Sequence, residues 1–338
     1  MKLVKILLIV GLIGVLLFFF LKNIDLRQVK DHISTVNLFY LFLFLLGLYI
    51  QFFIRAYRWG ILLKPHKNKI PIMTLYNYTV IGFLLNLIPG KVGEPAWGIL
   101  LAGEEKIGRS YGLASIVLER LIDSALIILL FLFSLFFVKD NNSQLLTGLK
   151  KISFFVFPLI VLFFVLFYLL NTDKLFIFVE KFIRFLSKLL PAKIRERAIG
   201  FALNFVKGLR LNLSLFNFIK LIVASLAVWL FLIPFYWLLM YGFGFGANVG
   251  PFEMLAYFSV IVASAAVPTP GMAGSFDAVS RIGLEEICKV DPNLAVAYTI
   301  LAHFLILVVM VVPGMVAFWT KGINLKIIRN IKDKNEMS

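Results

Sequence analysis

Charge is scarce in this chain: Asp, Glu, Lys and Arg make up 15% of 338 residues, against 61% hydrophobic residues. A water-soluble core of this length needs far less apolar surface, so the composition excludes an ordinary soluble protein and makes the bilayer the solvent. Mean hydropathy is +0.95, which agrees. Cysteine is reduced to Cys288; this excludes an intrachain disulfide and a cysteine metal cluster and leaves the redox compartment unread. Three scattered histidines lack metal-ligand spacing. There is no GxSxG, HExxH, Walker loop or dinucleotide fingerprint. No catalytic residue, metal or cofactor is therefore expected. Acidic residues are also few, 18 against 34 Lys and Arg, for a net charge of +16. These cations are dispersed between apolar runs, where they set orientation and touch anionic headgroups, so nucleic acid is not an expected partner.

What is present is a series of apolar runs of about 20 residues, enough to cross a bilayer. They lie near 4–21, 38–54, 113–138, 152–170, 218–240 and 294–319. The start, MKLVKILLIVGLIGVLLFFFLK, has the layout of a signal peptide but no small-x-small cleavage site after it, and reads as a retained first span. Two further apolar regions, 71–104 and 252–288, are interrupted by NLIPGKVGEP and AAVPTPGMAGSFD. A Pro-Gly break at membrane depth frees backbone groups that lipid cannot satisfy, so each region is expected to be a helical hairpin buried in protein or lining a wet cavity. The expected fold is an all-α membrane protein of about six full transmembrane helices plus two re-entrant broken hairpins. Residues 1–322 would form one polytopic membrane domain and 323–338 a basic cytoplasmic tail.

Lys and Arg bias places 55–69, 103–110, 174–210 and the tail in the cytoplasm, with KDNNSQ and GFGFGANVG outside, so both termini face the cytoplasm of a plasma-membrane protein. The loop KNIDLRQVKDH, carrying Lys22, Arg27 and Lys30, runs against this bias. Within 174–210, Lys181, Arg184 and Lys188 share one helical face and Phe182, Phe185, Leu186 and Leu189 another. Such a helix lies in the membrane interface, either sensing lipid or simply connecting two spans.

The two broken regions share PGxxG: Pro89, Gly90 and Gly93 in one, Pro270, Gly271 and Gly274 in the other, with Pro268 just before. Each copy sits between apolar half-helices and is followed by a long apolar segment. An odd number of intervening spans makes the hairpins enter from opposite sides, an inverted repeat whose broken helices meet around a substrate site. Ionisable residues at membrane depth are functional candidates by default. Glu119, Arg120 and Asp123 are helical neighbours that form either a neutralised structural cluster or a binding site. Glu94 follows the first turn as a helix cap or an anion-site neighbour, and Asp277 stands similarly after the second. Arg55 and Arg58 close the second span, by snorkelling or to bind an anion. His303 is a satisfied interior histidine or a proton relay.

Taken together, RAYRW, NLIPGKVGEP, VLERLID and VPTPGMAGSFD resemble the membrane region of lysylphosphatidylglycerol synthases and the standalone YbhN/AglD-like, flippase-like membrane proteins. The resemblance covers nearly the whole chain. It implies handling of a lipid-linked anionic or polyprenyl substrate, with this membrane domain, in the synthases, moving the aminoacylated lipid between leaflets. It maps the first turn onto Pro89, Lys91, Gly93 and Glu94, ER-x-x-D onto Glu119, Arg120 and Asp123, and the second turn onto Pro268, Pro270, Gly271 and Gly274. Trp97 and His303 stand where the family often has arginine, and Asp277 where it has glutamate, which argues against a strongly anionic headgroup. No soluble aminoacyl-transfer domain follows the last span, so charging a lipid from tRNA would fall to a separate soluble enzyme partner.

The combined reading is a flippase-like or transporter-like protein that moves or binds a phospholipid or lipid-linked headgroup. Asn86, Lys91, Glu94, Glu119, Arg120, Asp123, Asp277, His303, Arg55 and Arg58 would line its site. The alternatives are a membrane-embedded transferase on a lipid-linked sugar or headgroup, with Glu94 or Asp123 as general base, and a noncatalytic accessory subunit.

Overall fold

A computed structural model of the chain describes residues 2–67, 69–88, 93–138, 151, 154, 156, 158–160, 162, 173–188, 192–209, 215–267 and 269–323. Among them the regular structure is helical throughout, with no strand. Polar residues cap several starts. Asp25 accepts from the Arg27 N–H at 2.9 Å to begin α2 (Leu26–Ser34). Asn37 accepts from the Phe39 N–H at 2.9 Å to begin α3 (Leu38–Leu63). Asp291 accepts from Asn293 and Leu294, with Pro292 in the first turn, to begin α13 (Pro292–Thr320).

By length and apolarity, three segments among the described residues can cross a membrane: Leu38–Leu63, Phe216–Gly242 and Pro292–Thr320. The middle one comprises α9 (Leu215–Leu230) and α10 (Leu232–Gly242). The expected spans near 4–21 and 113–138 are helices α1 (Lys2–Leu21) and α6 (Arg109–Phe137). Most of 152–170 lies outside the described residues, as do 139–150 and the tail from 324. One boundary is corrected. The second span does not stop near 54, because α3 continues to Leu63 around buried Ala56, Trp59 and Leu62. Many large apolar side chains stay on the outside, among them Phe39, Phe42, Phe304, Val312 and Trp319, as a lipid-facing surface requires.

Polar contacts collect at two opposite ends. At one, the Asp25 N–H donates to Asn293 Oδ1 (2.9 Å), Asn293 Nδ2 to Gln28 Oε1 (3.0 Å), and the Asn37 N–H to the Gly242 carbonyl (3.1 Å). At the other, Lys64 Nζ donates to Asn217 Oδ1 (3.1 Å), Lys321 Nζ to Glu104 Oε1 (2.6 Å), and Lys67 pairs with Glu105. The loop carrying Lys22 and Arg27 therefore shares an end with the start of α13. Arg281 fastens α1 there: its Nη1 donates to the carbonyls of Phe19, Phe20 and Lys22 at 3.1, 2.7 and 3.1 Å, satisfying groups a helix C-terminus leaves open.

Two helix pairs fold back from opposite ends. Helices α4 (Ile72–Leu85) and α5 (Gly93–Glu104) pack together with both free ends near Lys67 and Lys321. Helices α11 (Pro251–Ala263) and α12 (Ser275–Glu286) pack together with both free ends at the Gly242 and Asn293 end. Fourteen residues of α4 rise only about 21 Å, short of the ~30 Å apolar thickness of a bilayer, so α4 is too short to cross one and ends beside Asn86. There the pairs touch: the Gly271 N–H donates to the Asn86 carbonyl at 3.4 Å.

The segment expected to be amphipathic forms α7 (Asp173–Ser187) and α8 (Ala192–Leu209). α8 packs on α6 and α7 packs on α8, which leaves Phe178, Phe182 and Phe185 uncovered.

The two-ended arrangement predicts a labelling pattern. With Cys288 replaced by Ser, Lys64→Cys and Asn248→Cys should react with an impermeant thiol reagent from opposite faces of the membrane. Reaction of both from one face would contradict the fold.

Candidate functional site

The interior charge begins with helical spacing. Gln51, Arg55 and Arg58 lie at i, i+4 and i+7 on α3 and therefore share one face, and Glu119 and Asp123 share a face of α6. The two faces meet. Arg58 is fully buried, with one Nη bonded to Glu119 and the other to Asp123. Arg55, also buried, approaches Asp123 Oδ2 at 3.5 Å and lies over the Trp229 ring at 4.6 Å. Trp229 in turn donates from Nε1 to Asp123 Oδ1 at 3.0 Å. Arg120 contacts Asp123 at 3.3 Å and Glu119 at 3.9 Å, and its side chain is 32% exposed.

This revises the expected charge balance. The carboxylates are held mainly by Arg58, from another helix, and Arg120 is an additional cation. Arg55 and Arg58 do not snorkel, since α3 carries them inward against α6. Among the described residues, three guanidinium groups against two carboxylates leave one net positive charge. Removing one partner of such a buried set is expensive, about 3–5 kcal/mol, because an uncompensated charge stays behind.

The cluster borders a cavity of about 140 Å³. Gln51, Arg55 and Arg120 supply its polar side, and Phe52, Phe83, Phe258, Phe276, Ile306 and Met310 are among its apolar walls. Arg58 does not line it. Buried Nε of Arg55 and buried Nε and Nη2 of Arg120 donate no hydrogen bond. The volume is close to the ~150 Å³ that encloses one benzene. It therefore admits a phosphate- or glycerol-sized group and leaves acyl chains outside.

Trp97 is buried, packed against Gly82 and 5.5 Å from the Phe83 ring, with the Arg120 guanidinium 5.7 Å from its own ring. The indole thus offers Arg120 a cation–π surface. Asn86 sits at the junction of the two turns, its Oδ1 buried without a hydrogen-bond donor. Gly93 is required there: a Cβ would stand 2.1 Å from the Gly82 carbonyl oxygen and 2.5 Å from Asn86 Oδ1.

Asp277 and His303 are not on the cavity wall. Asp277 Oδ2 accepts from the Gly274 N–H at 2.8 Å, capping α12, and Oδ1 lies 2.8 Å from His303 Nδ1. His303 Nε2 lies 2.8 Å from the Gly271 carbonyl. Gly271 and Gly274 have φ of +57° and +77°, open to glycine at no steric cost. Pro270 opens the short 3₁₀ turn. Pro89, Gly90, Lys91 and Pro268, and the side chain of Glu94, lie outside what the structure describes.

Sequence reasoning passed over Gln51 and Trp229. Gln51 carried a signal, a polar residue one turn before Arg55 in an apolar run. Trp229 carried none, since tryptophan among apolar residues reads as packing.

If Arg58 is the counterion that both carboxylates need, Arg58→Met should lower stability by about 3–5 kcal/mol. Arg58→Met combined with Glu119→Gln, which removes one charge of each sign and leaves Asp123 to Arg55 and Arg120, should recover much of that loss, measured by thermal unfolding in detergent. An undiminished melting temperature for Arg58→Met alone would refute the assignment.

No curated protein and no solved structure matches the chain. A family model does match, that of the lysylphosphatidylglycerol synthase TM region, over residues 3–314. Its span takes in both helix pairs, the arginine–carboxylate cluster and most of α13. The chain belongs to the lysylphosphatidylglycerol synthase TM region family and is a membrane protein related to lipid handling.

Proposed function

We propose that the protein moves an anionic lipid between leaflets by lodging its phosphate in the cavity beside Arg55 and Arg120. The observation that carries this reading is the excess positive charge at an otherwise apolar cavity, with guanidinium N–H groups there that donate no hydrogen bond. An anion completes both the charge balance and the hydrogen bonding, and arginine suits phosphate because its planar fork can bond two oxygens. The cavity's size supports a headgroup entering while the chains remain in lipid.

In this reading the two helix pairs are re-entrant hairpins from opposite faces, and their meeting point is the barrier that alternates. The basic end around Lys64, Lys67 and Lys321 faces the cytoplasm of the plasma membrane, by the positive-inside rule. The uncovered phenylalanines of α7 dip into the same leaflet's interface. Transferase chemistry through Asp123 is disfavoured by the state of that residue. A general base needs a free carboxylate oxygen, and both oxygens of Asp123 are engaged by arginine, with Trp229 on one of them.

The test uses proteoliposomes carrying tail-labelled phosphatidylglycerol or phosphatidylcholine, with an external quencher reporting movement between leaflets. Phosphatidylglycerol should move faster. Arg120→Gln removes the excess charge, and losing a charge-assisted hydrogen bond should slow phosphatidylglycerol roughly ten- to a hundredfold while the protein stays folded. Equal rates for both lipids, or an unaffected Arg120→Gln, would overturn the proposal.

A further inference from the structure

The His303 ring faces acceptors on both sides. Gly271 offers a carbonyl, which can only accept, 2.8 Å from Nε2. Asp277 offers Oδ1 2.8 Å from Nδ1, while its Oδ2 accepts from the Gly274 N–H at the start of α12. A helix N-terminus stabilises the ionised carboxylate. With two acceptors, both ring nitrogens must carry hydrogen, so the geometry is that of an imidazolium.

Among the described residues the surrounding elements supply no second counterion; on α11, Tyr257 bonds Ser280, and Glu253 lies in the first turn, at the Gly242 end. On α12, Arg281 and Glu285 pair with each other, and Arg281 also holds the end of α1. On α3, Arg55 and Arg58 face Asp123 and Glu119. On α4, Tyr78 donates to Glu104 and Tyr76 stacks on Phe53. On α10, Tyr236 packs against Phe44 and Phe258, and Tyr241 against Tyr40 and Trp237. The charges of α2, Arg27, Lys30, Asp31 and His32, belong to the end marked by Asn293. On α1, residues 11–21 carry no charge.

We propose that His303, Asp277 and the Gly271 carbonyl form a proton-binding site that controls the junction between the two hairpin turns. When the N–H bond at Nε2 breaks, its electron pair stays on nitrogen and the proton passes to a water molecule that the proposal places at the junction; both side chains are about nine-tenths buried. The remaining ring proton stays on Nδ1, beside the carboxylate. The Nε2 lone pair then confronts the Gly271 carbonyl oxygen, and the two repel. Gly271 also donates to the Asn86 carbonyl of the first turn, and its neighbour Met272 lines the cavity, as does Phe276, whose ring is 5.0 Å from that of His303. Proton loss therefore loosens the turn where the hairpins meet, and proton binding restores it. This rests on the lipid-movement reading and adds its coupling ion.

Two measurements separate the two ideas. The first is ¹⁵N-histidine NMR of the full chain in nanodiscs, with signals of His303 identified by their loss in His303→Gln. At pH 6 they should be those of an imidazolium and change to a single neutral tautomer, protonated at Nδ1, as pH rises. A neutral ring throughout pH 5–9, or an imidazolium that never titrates, overturns the proton site whether or not lipid moves.

The second imposes a pH gradient of one unit on proteoliposomes. With one proton carried per lipid, the leaflet ratio of phosphatidylglycerol should shift by up to about tenfold. His303→Arg, a fixed cation, should abolish that shift. Wild-type movement of lipid with no response to the gradient overturns the coupling and leaves the lipid reading intact. No movement of lipid at any pH overturns the lipid reading, and the proton site then stands or falls on the spectra.

Discussion

Arg58 is the interaction on which the interior of this protein depends. A guanidinium with no exposure at all, away from water, is tolerable only when opposite charge and hydrogen bonds replace its hydration. Glu119 and Asp123 provide both, and so fix the rotation and height of α3 against α6. Once those helices are registered, the remaining placements follow. Arg55 is carried to the Trp229 face and Arg120 to the ring of Trp97, and the space between becomes a cavity with one surplus positive charge. An apolar cluster of the same volume could pack as well, but it would neither dictate this register nor leave charge for a ligand.

The second organising constraint is backbone polarity where the helices break. Two broken helix pairs carry N–H and C=O groups that lipid cannot satisfy. They answer it by meeting: Gly271 donates to Asn86, Asp277 caps Gly274, and His303 bonds the Gly271 carbonyl. Gly93 permits the close approach within the first pair that an added methyl would forbid. The long helix that follows each pair carries different chemistry, permanent charge on α6 and an imidazole ring on α13.

How much of this was legible depends on the range of the interaction. The helical class, the interruption of the helices between 85 and 93 and between 266 and 275, and the face shared by Glu119 and Asp123 come from local pattern, and the sequence displays local pattern directly. Families of short motifs added the membership. The pairing of Arg58 with two carboxylates more than sixty positions away was not legible, because a charge near the end of an apolar run reads equally well as a snorkelling residue. The end of α3 was misplaced for the same reason: RAYRW interrupts hydropathy, yet Trp59 and Ala56 are buried and the arginines are neutralised in the interior. Asp277 and His303 were legible as unusual residues and illegible as a pair, since nothing in their separation announces that α12 and α13 place them face to face.

The departures from the family pattern gain a physical meaning from this geometry. Loss of arginine at Trp97 and His303 suggested a weaker demand for an anionic headgroup, but the cavity retains two arginines, and Trp97 presents its ring to one of them. Among the described residues the cations at the site come from α3 and α6, independently of those two positions. At 303 an arginine would be a permanent partner for Asp277, holding the second turn in one state. Histidine makes the same pair conditional on a proton. In the proposed mechanism a fixed cation would suit a turn that moves only when substrate displaces it, whereas a titratable one would let the proton and the lipid act on the same junction from opposite sides, one through Gly271 and the other through Met272 and Phe276.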